Sequence, residues 1–284
     1  MTSSGGDAAR RAELARKAAR FLEMHAGPGI LVLPNAWDAA SARIFEETGF
    51  PALATTSAGV AYALGYPDGE RISRDEMLAA VRRIAAAVAI PVTADMEGGY
   101  GPAVADAEAT ARGVLEAGAI GLNFEDARGG RLLETAQHAG RVRAMRRVAD
   151  EAGVPLVINA RTDVFLLQVG APESRLAEAI ARANAYREAG ADCLFIPGVR
   201  DAETIAALAG AIHGPINILA TPGTPAAAEL ARLGVARVST GSGPMRAAMS
   251  ATRRLASELK RDGTYASFGE GVLTHAEANR LMER

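Results

Sequence analysis

The sequence predicts an α/β protein folded as a (β/α)8 barrel, and two observations carry this prediction. Eight short runs of β-branched and apolar residues alternate with eight alanine-rich segments of helical period along the 284 residues. Eight such units are the number that a (β/α)8 barrel contains. A Glu-Ala-Gly or Glu-Thr-Gly triplet also precedes four of the predicted strands. Glycine at these positions supplies the left-handed conformation that ends a helix.

The predicted elements alternate along the whole chain. The strands are Ile30–Leu33, Ala52–Thr55, Val92–Asp95, Gly121–Glu125, Leu156–Ala160, Cys193–Ile196, Ile216–Leu219 and Arg237–Ser239. The helices are Ala39–Glu47, Arg74–Val88, Ala103–Glu116, Gln137–Glu151, Glu173–Glu188, Asp201–Ala209, Pro225–Arg232 and Met245–Lys260. A doubly wound open sheet is the alternative, but it would require a glycine-rich phosphate turn after the first strand. That strand ends in Leu33-Pro34-Asn35-Ala36 instead, so the barrel is preferred.

No linker rich in proline, glycine or serine divides the chain. We therefore predict one barrel domain over residues 1–284, with an N-terminal helical extension over 1–24 and a C-terminal helical tail over 261–284. The tail carries apolar residues such as Tyr265 and Phe268 beyond the eighth β/α unit. Exposed apolar side chains of this kind need a partner surface, so we expect a homodimer or a homotetramer.

Composition excludes several classes of function. The formal net charge of −2 argues against nucleic-acid binding, which needs clustered positive charge. The single cysteine, Cys193, excludes a disulfide framework and fits a reducing cytoplasm. No apolar run reaches the roughly 18 residues of a membrane span. The only lysines are Lys17 and Lys260, both in polar segments, so chemistry through a buried, imine-forming lysine is not expected.

Acidic side chains follow two neighbouring strands, where barrel enzymes carry their reactive groups. Asp95 and Glu97 follow the third strand, and Glu125 and Asp126 follow the fourth. Two acidic strand ends that face one pore would repel each other. A hard divalent cation, Mg²⁺ or alternatively Mn²⁺, would relieve this repulsion. The alternative is that these carboxylates cap helices or pair with arginines.

Polar residues at other strand ends predict an anion site. Arg161 emerges from an apolar strand, where it is costly to bury without an anion, and its fork suits a substrate carboxylate or phosphate. An internal ion pair with Asp163 or Glu125 is the alternative. The segment Ser57-Ala58-Gly59 could offer a hydroxyl and N–H groups to an oxyanion, although a tight turn uses the same residues. The eighth strand end, Ser239–Gly243, predicts either a phosphate site or a capped turn.

Six short motifs follow one another along the chain, namely Leu33-Pro34-Asn35-Ala36-Trp37-Asp38, Thr56-Ser57-Ala58-Gly59-Val60-Ala61, Gly65-Tyr66-Pro67-Asp68, Gly99-Tyr100-Gly101, Gly121-Leu122-Asn123-Phe124-Glu125-Asp126 and Asn159-Ala160-Arg161-Thr162-Asp163. In this order they resemble the isocitrate lyase/phosphoenolpyruvate mutase superfamily, over about residues 25–260. The resemblance implies a (β/α)8 barrel, often with its last helix exchanged between subunits. It also implies bound Mg²⁺ and an enolate of a 2-oxo acid as intermediate.

The strand ends and the resemblance together give three groups of candidate residues. The candidate catalytic residues are Ser57, Glu125 and Arg161. The candidate substrate-binding residues are Ser57, Ala58, Gly59, Arg161 and Asn217. The candidate metal ligands are Asp95, Glu125, Asp68 and Glu97.

Two departures from the superfamily pattern bear on function. The first Asp of the usual Asp-x-Asp motif is Thr93 here, and whether Glu97 replaces it stays open. The lyase branch carries Lys-[Lys/Arg]-Cys-Gly-His on the loop after the fourth strand. The corresponding stretch, Ala127–Glu134, is shorter and has neither lysine nor cysteine. We therefore expect negligible cleavage of isocitrate and 2-methylisocitrate.

The leading hypothesis is a Mg²⁺-dependent enzyme that acts on a small 2-oxo or 2-hydroxy carboxylate, as a carbon–carbon lyase or decarboxylase. One alternative is an enzyme of carbon–phosphorus bonds, of the phosphoenolpyruvate mutase or phosphonopyruvate hydrolase type. Another is a catalytically silent barrel that only binds a ligand. The sequence does not identify which acid is the substrate.

Overall fold

The computed structural model describes residues 3–269 and 271–283. Its strands are β1 (Leu31–Leu33), β2 (Asn35–Ala36), β3 (Leu53–Thr55), β4 (Val92–Asp95), β5 (Gly121–Glu125), β6 (Ala127–Arg128), β7 (Arg131–Leu132), β8 (Val157–Arg161), β9 (Cys193–Phe195), β10 (Ile216–Leu219) and β11 (Arg237–Ser239). Its helices are α1 (Ser3–Met24), α2 (Ala39–Glu47), α3 (Ser57–Ala63), α4 (Arg74–Ala87), α5 (Val104–Ala117), α6 (Thr135–Ala152), α7 (Arg175–Glu188), α8 (Ala202–Ala211), α9 (Ala227–Arg232), α10 (Gly243–Asp262) and α11 (His275–Met282).

Nine of these strands form one parallel sheet that closes almost completely into a barrel. The order is β1-β11-β10-β9-β8-β5-β4-β3-β2. The two end strands, β1 and β2, are halves of the first barrel strand and are separated by Pro34. Proline has no N–H to donate to a ladder, so the first half pairs with β11 and the second half with β3. The predicted (β/α)8 barrel is confirmed.

The predicted elements are present, and most of their ends differ by only one or two residues. Gly118 and Gly153 end α5 and α6 in the left-handed conformation, as the repeated triplets predict. A short helix was missed. Ser57–Ala63, part of which was considered as a tight turn, is α3, and the Thr56 side chain caps it by accepting from Gly59 N at 3.3 Å.

A hairpin forms part of the stretch Ala127–Glu134 that follows β5. Strands β6 and β7 pair antiparallel. Between them, Gly129 and Gly130 have φ angles of 56° and 76°. A two-residue turn with positive φ at both positions is the tight type that glycine pairs favour.

Helix α1, which contains most of the predicted N-terminal extension, lies at the amino-terminal end of the barrel strands. Its Phe21 is fully buried and lies under Arg237, the first residue of β11. At the other end of the chain, α10 has no buried residue. Met1, Thr2, Glu270 and Arg284 of the two predicted extensions lie outside the described residues. Among the helices described, none is both long and apolar enough to cross a membrane.

Candidate active site

A small cavity opens at the carboxyl ends of the barrel strands and has a volume of about 190 Å³. It is lined by Asn35, Thr56, Ser57, Ala58, Asp68, Asp95, Asn123, Arg161, Leu166, Phe195, Pro197, Leu219, Ser239, Gly241 and Ser242. A larger concavity of about 490 Å³ lies between α1 and the ends of α5 and α6. It contains no residue from a strand end, so the smaller cavity is the candidate active site.

Asp95 is the best-connected carboxylate of the cavity. Ser57 donates to Asp95 Oδ2 twice, from its backbone N at 2.9 Å and from its Oγ at 2.8 Å. The other oxygen, Oδ1, accepts from Asn123 Nδ2 at 3.4 Å. Thr55 Oγ1 accepts from the Asp95 backbone N at 2.9 Å. The end of β3 and the start of α3 therefore hold Asp95 in place. The Ser57 hydroxyl donates its only hydrogen to Asp95, so it has none left to donate to a ligand.

Arg161 is held by two carboxylates, which is the internal ion pair that the sequence left as the alternative. Asp163 accepts from Nε at 2.6 Å and from Nη2 at 3.0 Å. Glu125 Oε2 lies 2.8 Å from Nη1, because β5 and β8 place Glu125 and Arg161 directly opposite each other. A guanidinium has five N–H groups. These contacts leave some of them for a ligand, and Arg161 lines the cavity.

Glu125 does not line the cavity, so its predicted role as a metal ligand is not supported by its position. Burial raises the pKa of this carboxyl well above its usual range, and the nearby Arg161 opposes the rise. Its contact with Arg161 makes it a partner of the arginine.

Asp68 and Glu97 differ in their surroundings. Asp68 lines the cavity, and burial followed by repulsion from Asp95 raises its pKa. Glu97 is absent from the cavity lining. Its Oε2 accepts from Glu70 N at 2.6 Å, and its Oε1 accepts from Tyr100 Oη at 3.2 Å. Burial, and then Asp95, raise the pKa of Glu97 to about 7. Glu97 therefore joins two loops beside the cavity and is not placed as a direct replacement for the missing Asp.

The loop that carries Glu97 is strained and is held by a buried arginine, Arg141, that was not among the candidate residues. Glu97 and Tyr100 have φ angles of 49° and 57°, which cost about 1–3 kcal/mol each in residues other than glycine. Arg141 donates to Gly98 O and Gly101 O, both at 2.6 Å. Arg141 is buried on the inner face of α6. In the sequence, the position of Arg141 among the apolar residues of this helix is the pattern that could have predicted a buried, functional arginine.

The cavity fits a divalent cation bound mostly through water. No three carboxylate, imidazole or thiol side chains of residues 3–269 and 271–283 converge as a closed metal cage. Asp68 and Asp95 are, however, two carboxylates on one small cavity, and burial, followed by repulsion from Asp95, raises the pKa of Asp68. Mg²⁺ is usually held by one or two carboxylates together with several waters. The donor set therefore fits Mg²⁺ or Mn²⁺ at these two residues.

Of the remaining candidate substrate-binding residues, one lines the cavity and two do not. Ala58 lines the cavity, whereas Gly59 packs under Trp37 and donates its N–H to Thr56. Asn217 is fully buried in the barrel interior and bonds to Ser239 Oγ at 3.1 Å. Neither residue lines the cavity, since Gly59 lies in α3 against Trp37 and Asn217 lies within β10, below the strand end.

At the end of β11, three backbone N–H groups are paired within the protein. Asn35 Oδ1 accepts the N–H groups of Thr240 and Gly241 at 2.8 and 2.9 Å. Gly243 N donates to Thr240 O at 3.1 Å. The backbone N–H groups of Thr240, Gly241 and Gly243 are therefore used within the protein, as in a tight turn, although the Ser242 side chain does not cap α10.

The fold and this cavity define a barrel enzyme with a carboxylate-rich site at its strand ends. Comparison with known proteins agrees. The phosphoenolpyruvate phosphomutase family matches residues 21–260, and the chain belongs to this family, within the isocitrate lyase/phosphoenolpyruvate mutase superfamily. A crystal structure from Burkholderia cenocepacia J2315, of a protein assigned as a lyase or mutase, has a TM-score of 0.89 and 39% identity, and the match covers 94% of this chain and 96% of that one.

Two further relatives are enzymes. An oxaloacetate decarboxylase of Bradyrhizobium diazoefficiens is 31% identical over 263 residues, which is 90% of this chain and 89% of the relative. The structure of an oxaloacetate acetylhydrolase in complex with the product oxalate has a TM-score of 0.85 and 25% identity, covering 95% of this chain and 94% of that one. The chain is therefore an enzyme of the lyase and mutase type, and the interpretation as a catalytically silent barrel is set aside.

Proposed function

We propose that the chain breaks a carbon–carbon bond beside the carboxylate of a small 2-oxo or 2-hydroxy acid, as a Mg²⁺-dependent lyase or decarboxylase. The observation that carries this proposal is that Asp68, Asp95 and Arg161 line one cavity of about 190 Å³. Pockets for drug-sized ligands measure about 300–1,000 Å³. A substrate of few heavy atoms, with a carboxylate for Arg161, suits the smaller space.

Each residue has a defined task in this proposal. Arg161 binds the substrate carboxylate with the N–H groups that its own partners leave free, and Glu125 and Asp163 fix its orientation. Ser57 holds Asp95. Asp95 and Asp68 would hold Mg²⁺, or Mn²⁺ in its place, and the bound ion would stabilise the negative charge that develops as the bond breaks.

Carbon–carbon chemistry is favoured over carbon–phosphorus chemistry by the charge of the cavity. Arg161 is the only lysine, arginine or histidine among the residues found to line it, and two carboxylates already contact this arginine. A phosphonate or phosphate dianion would find no second cationic side chain among the lining residues. The backbone N–H groups of Thr240 and Gly241 also donate to Asn35. The names of two relatives specify oxaloacetate, which is a small 2-oxo acid of the proposed class.

The test is a panel of 2-oxo and 2-hydroxy acids, including oxaloacetate, incubated with Mg²⁺ and analysed by mass spectrometry. We expect carbon–carbon cleavage of at least one acid, and EDTA should abolish it. Asp95→Asn should remove activity and weaken Mn²⁺ binding, whereas Glu47→Gln, at the exposed end of α2, should change neither. Phosphate release from phosphonopyruvate without cleavage of any carbon acid would establish the alternative and overturn the proposal.

We further propose that the enzyme is a homodimer or homotetramer in which α10 and the segment after it are exchanged between subunits. Helix α10 has no buried residue, although Met249 and Leu259 lie on it, and Tyr265 and Phe268 beyond it are also exposed. Burial of these apolar side chains against a second copy would supply the missing contacts. A monomeric mass by light scattering at micromolar concentration would contradict this proposal.

A further inference from the structure

An arginine is buried in the barrel interior below the cavity. Arg237 is the first residue of β11 and is fully buried. Among the described residues, no carboxylate forms an ion pair with it, and its Nε and Nη1 have no hydrogen-bond partner. Burying a guanidinium without an ion pair is costly. Packing alone does not explain a charge at this position, where an apolar residue would fill the space.

The remaining nitrogen of Arg237 is connected to the cavity through one amide. Its Nη2 donates to Asn123 Oδ1 at 3.4 Å, and Asn159 Nδ2 donates to the same oxygen at 2.7 Å. Because two donors occupy this oxygen, the amide turns its NH₂ group the other way. Asn123 Nδ2 then donates to Asp95 Oδ1 at 3.4 Å. A single side chain therefore separates the guanidinium from the cavity carboxylate.

Among the described residues, Cys193 and Asp95 are the titratable acids that act on Arg237. Burial lowers the pKa of Arg237 to about 10, so the guanidinium remains charged. Below it lies the ring of Phe21, with its centroid 5.9 Å away. Burial, and then Arg237, lower the pKa of His25 to about 4, and burial raises the pKa of Cys193 to about 12. Both groups are neutral, so the nearby negative charge is that of Asp95.

We propose that Arg237 is a positioning residue of the active site. Its charge, connected to Asp95 through Asn123, offsets part of the negative charge of the cavity carboxylates. An anionic substrate and a divalent cation can then occupy the same small space. This inference rests on the proposed function, in which Asp95 holds the cation and Arg161 the substrate carboxylate.

If Arg237 acts through its charge, its removal should have an effect on binding that the loss of a purely structural residue would not have. Removing a positive charge from below the cavity should strengthen cation binding and weaken anion binding, whereas general damage to the barrel would weaken both. For charges separated by one amide in a partly buried site, each change should be about tenfold. Arg237→Met removes the charge and keeps an apolar chain, and Arg237→Lys keeps the charge. Phe21→Leu is the matched control, because it disturbs the packing under Arg237 and leaves the charge.

The experiment measures two affinities on the full-length protein. Mn²⁺ binding is followed by the electron paramagnetic resonance signal of the free ion, and oxalate binding by calorimetry at saturating Mg²⁺. In Arg237→Met, we expect Mn²⁺ to bind about tenfold more tightly and oxalate about tenfold more weakly. Arg237→Lys should retain most of the wild-type values, and Phe21→Leu should lower thermal stability without this opposite pair of shifts.

The outcomes separate the two proposals. If wild-type protein binds both ligands and Arg237→Met changes both affinities in the same direction or neither of them, the role of Arg237 is wrong and the proposed function stands. If wild-type protein binds neither Mn²⁺ nor oxalate, the proposed function is wrong, and the role of Arg237 is overturned with it.

Discussion

Replacing His138 with phenylalanine should remove a defined part of the protein's sensitivity to acid. His138 lies on α6 and is completely buried. Its ring stacks on Phe124 with centroids 4.5 Å apart and meets Tyr186 edge-on at 4.7 Å. Burial, and then the charge of Arg141, lower the pKa of His138 to about 3. Phenylalanine keeps the aromatic ring and removes the titrating group.

The size of the effect follows from the difference in pKa between the two states. An unfolded histidine has a pKa of about 6.5, so the unfolded chain takes up a proton at a higher pH than the folded protein does. The contribution of neutral His138 to the free energy of unfolding is therefore complete above pH 6.5, and it is lost as the pH falls from 6.5 toward 3. At pH 5 the loss is about 2 kcal/mol, from about 1.4 kcal/mol per pH unit. His25, with a pKa lowered to about 4 by burial, adds a similar amount.

The assay is urea unfolding at pH 8 and at pH 5, followed by the fluorescence of Trp37, the only tryptophan. The loss of unfolding free energy between these pH values should be about 2 kcal/mol smaller in His138→Phe than in wild type. His275→Gln, on the exposed face of α11, is the control and should behave as wild type does. The explanation fails if wild type and His138→Phe lose the same free energy. The burial of His138 also excludes it from contact with a substrate in the cavity.

Three further predictions concern the site, the loop beside it and helix α6. Arg161→Lys should raise KM by about tenfold to a hundredfold in steady-state kinetics, since lysine keeps the charge and loses the fork. In Gly99→Ala, the new Cβ would lie 2.7 Å from Phe124 at a φ of 84°, so thermal unfolding should show a loss of more than about 1 kcal/mol. Gly140→Ala, in α6 with no neighbour within 4 Å, should stabilise by about 0.5–1 kcal/mol. Equal unfolding of the two alanine variants, or an unchanged KM, would contradict the respective argument.

The sequence predicted the barrel well because its local signals agree with one another. The helix Ala39–Glu47 has the predicted bounds, since Asp38 caps it by accepting from Ser41 N. The strand Gly121–Glu125 is also as predicted, because its apolar run ends in two acidic residues. Alternation of such segments fixes the order of strands around a closed parallel barrel. Helix and strand positions are therefore readable from one chain.

The site was predicted less completely, because side-chain pairing depends on register and loop conformation. Glu125 contacts Arg161 since β5 and β8 align them directly, and the sequence left this pair only as an alternative. Glu97 turns toward Glu70 because its backbone is left-handed, with a φ of 49°. No local sequence pattern predicts a positive φ at a glutamate. Of the four predicted metal ligands, the structure therefore places Asp68 and Asp95 on the cavity.

The groups around the cavity also limit how a product could be protonated. Among the described residues that line it, there is no histidine, cysteine or lysine. The only thiol, Cys193, is buried in β9, and the Ser57 proton is donated to Asp95. A positioned general acid contributes about 10²–10⁴-fold in rate. Reactions that need directed proton delivery, such as cleavage of isocitrate or 2-methylisocitrate, should therefore be very slow here. Decarboxylation or cleavage followed by protonation from water remains compatible with these residues.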